Sequence, residues 1–385
     1  MNFLNQATQQ FFYTPIQRFT HSNNWKIKAT LLLVIASFIF STGPFFYLPT
    51  AFKNENWNSF NFKKENLFKQ PPYRDVSHAA KKTFRITVPL IAKVFHFNNW
   101  ATVAFIWLLN ILFLFFLLEF LVQLLNDKTI AFLGTFGFTF IYAGHAGFTD
   151  IASWFDEAAY FFLLMALFSK QKWVIYCSII LACFTDERAF ASSVLVAVFH
   201  YFSSENKSLL QHLKQISKCS ISIIALCTAI FIRILLQQIF NLHTSSAGAS
   251  ISNILNDSDF WGMGIWTFLE GYWLLVGTLF LFLMYSKQYL KSVALISIIG
   301  LFIMGAFMVF DETRSGSYMF PILFIAIAIL QNELTTVEWR MLFLIIAIIC
   351  FIFPAYYIIS DTSPYTLWYK PIFVRVLDFI NLKLH

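Results

Sequence analysis

About eleven apolar blocks constrain this 385-residue chain more than any other feature, at roughly 29–48, 101–125, 129–147, 151–169, 173–185, 188–203, 219–240, 263–285, 292–310, 315–331 and 340–359. A hydrocarbon core of about 30 Å takes about 20 helical residues to cross, and several blocks reach that length. Backbone N–H and C=O groups in lipid must be satisfied within the segment, so such blocks are helices and not isolated strands. Only 12% of the residues are charged, against about a quarter in a soluble domain, which leaves too little polar surface to cover the chain in water. The expectation is an all-α polytopic membrane protein with about eleven transmembrane helices, forming one domain over residues 1–385. Blocks short of a full span point to tilt or to helices that break.

Two stretches lie outside these blocks. Residues 49–100 form a long first loop whose second half, Val76 to Phe97, carries apolar residues at helical spacing, as in a helix lying in the membrane interface. The tail from about 360 to 385 reads the same way. The first block begins near Ala29 and ends in Gly43-Pro44 without a small-x-small pattern, so it is expected to stay as a span and not be cleaved. The five cysteines all fall inside apolar blocks, with no metal-like spacing, and read as small core residues. The 49 phenylalanines fill lipid-facing positions. A net charge of +7 is compatible with nucleic acid, but the basic residues are spread over segments that flank the blocks. Anionic headgroups account for them better, and no nucleic-acid partner is expected.

With the N-terminus cytoplasmic, the short inner segments carry twelve Lys or Arg and four acids, an excess that supports this orientation. The first outer loop departs from the rule with nine basic residues, which interfacial helices holding lipid or substrate phosphates would explain. In this topology the acids gather at the outer level: Asp75 in the loop, then Asp150, Asp156 and Glu157, then Asp186-Glu187-Arg188, then Asp311-Glu312-Thr313-Arg314. Asp156 and Glu157 fall within helix-like sequence, where a carboxylate costs several kcal/mol unless it is paired or faces water, and so marks a functional site. Arg188 and Arg314 are placed either to neutralise these acids or to bind an anion. His78 lies three residues after Asp75, on the same helix face. His145 sits among small residues at a helix end, and Glu119 within the second block either pairs with Arg233 or marks another polar path. There is no HExxH pattern, no Gly-rich phosphate loop and no GxSxG elbow, so neither a metal nor a cofactor is expected.

This arrangement resembles the GT-C class of integral membrane glycosyltransferases, and in particular small bacterial members with no soluble domain. The likeness rests on the acid-bearing first loop with interfacial helices, the segment Arg85-Ile-Thr-Val-Pro-Leu-Ile-Ala-Lys93, the Phe155-Asp156-Glu157 stretch, the Thr185-Asp186-Glu187-Arg188 turn and the Asp311–Arg314 turn. The resemblance implies transfer of a sugar from a polyprenyl-phosphate carrier to a glycan, lipid or protein acceptor at the outer face of a bacterial inner membrane. It implies an acid of the first loop as general base, a position matched by Asp75, although Tyr73-Arg74-Asp75 supplies one acid where the class usually has two. Asp156 and Asp186 join Asp75 as candidate catalytic residues. His78, Arg85, Glu157, Glu187, Arg188, Asp311 and Arg314 are candidate substrate ligands. Chemistry supports the roles: a hydroxyl acceptor needs a carboxylate to take its proton, and a departing phosphate needs cations, for which the planar fork of arginine is suited.

Other readings predict different features. A transporter or flippase would use intramembrane acids as relays and show repeated halves, yet no repeat is visible and the acids favour one side. A non-catalytic polytopic scaffold would use the charged turns only to join helices. A polymerase or ligase of lipid-linked glycans would share the substrate with a different fold.

Overall fold

In this computed structural model, residues 12–45, 48–70, 82–150, 152–203, 209–243, 261–309 and 311–353 are described, and every regular element among them is helical. Asp75 and His78, the loop 244–260 and the tail from 360 lie outside the described residues. The helices are α1 (Thr14–Thr20), α2 (Trp25–Phe45), α3 (Leu48–Ala51), α4 (Glu55–Glu65), α5 (Thr87–Val94), α6 (Asn99–Leu125), α7 (Lys128–Phe138), α8 (Tyr142–Thr149) and α9 (Asp156–Phe168). They continue with α10 (Lys172–Cys183), α11 (Ala189–Phe202), α12 (Leu209–Phe240), α13 (Trp261–Leu269), α14 (Trp273–Tyr285), α15 (Tyr289–Phe307), α16 (Glu312–Ser317), α17 (Pro321–Leu330) and α18 (Thr336–Ile352).

Local chemistry sets the boundaries. The side chains of Asn98 and Asp127 accept from the backbone N–H groups of Ala101 (2.8 Å) and Ile130 (2.9 Å), capping α6 and α7. Asn126 ends α6 in the left-handed region at φ 52°, a conformation that asparagine tolerates. Thr335 and Glu338 form a reciprocal capping box at the start of α18. In the first loop, α4 was not visible in the apolar pattern. Asn54 caps it, and Trp57 and Phe60, one turn apart, bury against Val88 and Ala92 of α5, Val103 and Ile106 of α6, and Phe155.

The structure carries the membrane reading in a coarser form than the sequence pattern predicts. Among the described residues, five helical stretches are long and apolar enough to cross a bilayer: α6, Ile216–Phe240 of α12, α13–α14, α15 and α16–α17. A sixth is reached if α7 and α8, bent by 53° to one another, count as one span. The count of about eleven is not reached by length: α9, α10 and α11 have 13, 12 and 14 residues, which at 1.5 Å per residue makes each about 20 Å, short of a hydrocarbon core of about 30 Å.

The most central span is α16–α17, whose most apolar stretch is 94% buried, against 17% for that of α12. Helix α17 is apolar on every side and packs on α11 and α14, as expected of a helix enclosed all round. Helix α12 is peripheral, covering α10 and α11 with one face. Its other face exposes Ile223, Ile224, Ile230, Phe231 and Ile234, an apolar surface of the kind a bilayer solvates. Glu119 pairs with Lys26 of α2 at 2.5 Å and not with Arg233, whose guanidinium lies 4.5 Å from the Phe84 ring.

The bend between α7 and α8 brings backbone against backbone. A Cβ on Gly144 would lie 1.9 Å from the Phe138 carbonyl oxygen. Gly144→Ala is therefore expected to cost about 3 kcal/mol, the upper end of overpacking penalties, read as a lowered Tm in detergent. Gly277→Ala, whose Cβ meets nothing within 4 Å, is the matched control, with a change within about 0.5 kcal/mol.

Candidate functional site

Two docking events bring distant turns together. The end of the first loop closes onto the C-terminus of α10: the backbone N–H groups of Ile86 and Thr87 donate to the Phe184 carbonyl at 2.8 and 3.0 Å, and the Thr87 hydroxyl donates to the Leu181 carbonyl at 2.8 Å. Carbonyls left open by one helix end are thus satisfied by the start of α5. This places Arg85 over the turn between α10 and α11. One of its terminal nitrogens lies 2.9 Å from both Asp186 and Glu187, and its Nε donates to Glu187 at 3.1 Å. The Arg188 Nε lies 3.1 Å from Asp186, whose carboxylate also accepts from the Arg188 backbone N–H at 3.0 Å, so this carboxylate, with no exposed surface, is shared between two guanidinium groups. Burial works to raise the Glu187 carboxyl, but the Arg85 guanidinium overrides it and holds it down at about 2.

The second event joins α16 to the start of α9. Arg314 grips Asp156 bidentately, Nε to Oδ2 at 2.6 Å and a terminal nitrogen to Oδ1 at 3.2 Å, and gives its other terminal nitrogen to Asp311 at 2.6 Å. Its guanidinium carbon lies 3.9 Å from the centre of the Trp154 ring. The hydroxyls of Tyr142 and Tyr318 donate to Asp156 at 3.1 and 3.0 Å. Tyr318 links the two halves, because its ring also carries the Arg188 guanidinium at 5.5 Å. Arg85, Asp186, Glu187 and Arg188 are thereby connected to Asp156, Asp311 and Arg314 in one network.

Beside the network is a small hollow of about 20 Å³, walled by Lys63 of α4, Lys82, Arg85, the hydroxyl-bearing Ser59, Ser153 and Thr185, and the apolar Phe60, Val88, Pro89 and Phe155. Among the described residues, no carboxylate lines it. Lys82 donates to the Asn56 side-chain carbonyl at 3.0 Å and to the Ala152 carbonyl at 3.3 Å, and Lys63 reaches only the Lys69 carbonyl, at 3.5 Å. Burial lowers the Lys63 ammonium to about 8. Burial, reinforced by Arg85, lowers that of Lys82 to about 7. The wall itself is strained: Ser153 and Phe155 hold φ of 55° and 61°. Both are pinned by Asp150, whose carboxylate accepts from the backbone of Ala152 (2.8 Å) and Phe155 (2.7 Å). Non-glycine residues in this region cost energy and concentrate at working sites. The three cations stand on a wall without a described carboxylate, while the Ser153 and Thr185 hydroxyls donate to the Asn56 and Leu181 carbonyls at 3.1 and 2.7 Å.

The structure separates Glu157 from its neighbour. One helical step turns it away from the arginines, and its Oε2 accepts from the Gly147 backbone N–H at 3.2 Å, facing α8 and Asn110. It does not line the hollow, and neither do Asp156, Asp186, Glu187, Arg188, Asp311 or Arg314; of the described candidates Arg85 does. Asp156 is brought into the site with both oxygens hydrogen-bonded to Arg314 and to Tyr142 and Tyr318; Asp186 is brought in beside Arg85 and Arg188, and burial raises its carboxyl above the usual carboxylate range. Lys63, Lys82, Tyr142 and Tyr318 were missed by sequence reasoning. Only Tyr318 carried a signal, lying four residues after Arg314 on one helical face. Among the described residues, no group of three or more His, Cys, Asp or Glu could hold a metal ion.

Fold and site together define a class: an all-helical chain with several helices long and apolar enough to cross a membrane, whose first loop closes over an ionic network to leave a cation-walled hollow. No protein-family model, no curated protein and no solved structure matches the chain.

Proposed function

We propose that the chain is a GT-C-like integral membrane glycosyltransferase that moves a sugar from a polyprenyl-phosphate carrier to a hydroxyl acceptor. In this reading all of the apolar blocks serve the membrane domain, the N-terminus is cytoplasmic and the hollow opens on the outer side. The single observation that carries the reading is the hollow walled by Lys63, Lys82 and Arg85, held open by an ionic network that reaches Arg188 and Arg314. Cations pre-set for an anion are what a departing lipid phosphate requires, since its negative charge grows as the sugar leaves. Asp186 and Glu187 fix Arg85, Asp156 and Asp311 fix Arg314, and Asp75 takes the acceptor proton as the new glycosidic bond forms. His78 lies beside it in sequence.

The test is Asp75→Asn. A positioned general base contributes about 10²- to 10⁴-fold, so transfer from a polyprenyl-phosphate sugar falls by that factor, while detergent-solubilised protein keeps its Tm. Transfer at the wild-type rate would refute the assignment of the base. A second reading, a transporter, is favoured by one observation, the 53° break between α7 and α8 beside buried Glu157. It predicts that Glu157→Gln abolishes function and Asp75→Asn is silent, the reverse of the transferase.

A further inference from the structure

Lys82 differs from the arginines around it. Each arginine of the network is held by at least one carboxylate, whereas Lys82 rests on two neutral carbonyl oxygens, those of Asn56 and Ala152. An ammonium has three protons to donate. Two are taken, and the third has no acceptor among the described residues, although the side chain lines the hollow. Charged groups surround it on every side: Arg85 on its own segment, Lys63 across the hollow on α4, Asp150 and Asp156 from the two ends of the α8–α9 turn, and Arg314 from α16.

We infer that Lys82 gives a proton to the departing phosphate oxygen, acting as the catalytic acid of the sugar transfer; this rests on the transferase reading above. As the bond between the anomeric carbon and the phosphate oxygen breaks, its electron pair goes to that oxygen. The Lys82 N–H bond breaks in turn, leaving its electron pair on nitrogen, and the proton joins the phosphate to give the monoester monoanion. The acceptor hydroxyl has meanwhile given its own proton to Asp75. Lys82 regains a proton from solvent when the lipid phosphate departs.

The choice of lysine is chemically apt. Arginine stays charged at all working pH values and can only bind the anion, whereas a lysine near neutrality can both bind and donate. Burial and Arg85 bring Lys82 to about 7, near the second ionisation of a phosphate monoester at about 6, so a proton shared between them is poised to move either way.

The experiment uses the full chain in detergent with farnesyl phosphate as the product probe. Calorimetry from pH 6 to 9, in two buffers of different ionisation enthalpy, measures affinity and the protons taken up on binding. Wild-type affinity is expected to fall about tenfold per pH unit between about 7 and 8, because the neutral amine must be reprotonated to bind, and more steeply above 8, where Lys63 also loses its proton. Lys82→Arg is expected to bind within about threefold of wild type at pH 6.5, with a profile flat to about 8 and about one proton fewer than wild type taken up at pH 8.5. The ionisation of the phosphate itself is common to both proteins and cancels in the comparison. Should arginine not fit, Lys82→Gln, weaker but equally flat, makes the same distinction. A wild-type profile that is flat, or a Lys82→Arg profile with the wild-type slope, overturns the inference and leaves the transferase reading standing. Failure of folded wild type to bind farnesyl phosphate at any pH removes both.

Discussion

Asp156→Ala is expected to lower the stability of the folded chain by about 3–5 kcal/mol, the cost of breaking a buried ion pair from one side. Asp156 and Arg314 are 1% and 2% exposed, so the surviving guanidinium has little water to turn to and keeps Asp311, a partly exposed partner. The change also strips an acceptor from Tyr142 and Tyr318, each fully enclosed. Thermal unfolding in detergent measures it, with Asp156→Leu/Arg314→Met as the companion. Removing both charges restores much of the loss, because a well-packed apolar pair often matches a buried ionic one. A single variant that melts with the wild type would mean that water or another acid reaches the guanidinium, and the closed network would not describe the protein.

Arg85→Lys is expected to slow transfer by about 10²-fold while shifting Tm by only a few degrees. The substitution keeps the charge but loses the fork. Arg85 presents two nitrogens to Asp186 and Glu187 while facing the hollow, and a lysine cannot span that pair and a phosphate together. Loss of one pre-set donor to developing charge costs about 10²–10³ in rate. Turnover of a polyprenyl-phosphate sugar is the readout. Full turnover by the lysine variant would reduce Arg85 to a brace between the first loop and the α10–α11 turn.

Much of the polar centre was legible because its members are clustered along the chain. Asp186-Glu187-Arg188 and Asp311–Arg314 each interrupt apolar sequence, and a charge at such a place needs a partner. The pairing of one trio with Arg85, and of Asp156 with Arg314, follows from that need. Lys63 and Lys82 were hidden for the opposite reason: in a loop with nine basic residues, a lysine that faces a hollow reads like one that faces headgroups. The direction of Glu157 was hidden because adjacent residues on a helix point about 100° apart, and hydropathy does not say that it faces Gly147 while Asp156 faces Arg314. The number of spans was less legible, because apolar blocks record burial in any low-dielectric setting, and length supports five or six spans among the described residues. The 12- to 14-residue helices α10, α9 and α11 satisfy the pattern without satisfying the length. Helix α4 was missed because most of its residues are polar and its fold is set by two aromatic anchors, Trp57 and Phe60.

The break between α7 and α8 bears on how the chain is made. Where a helix is interrupted, carbonyls lose their usual donors, and lipid offers no replacement. Here the carbonyls at the bend are served locally, Thr135, Phe136 and Gly137 by the N–H groups of Thr139 and Phe140, and Ile141 by that of Gly144. The seat of α8 comes from outside its own segment: the Gly144 carbonyl also accepts from the Ser37 hydroxyl at 3.3 Å and the Asn110 amide at 3.1 Å. Both donors belong to helices translated earlier, α2 and α6. A ribosome delivering the segments in order therefore has the receiving surfaces in place before α8 emerges, and a circular permutant that reversed this order would release it without its anchors.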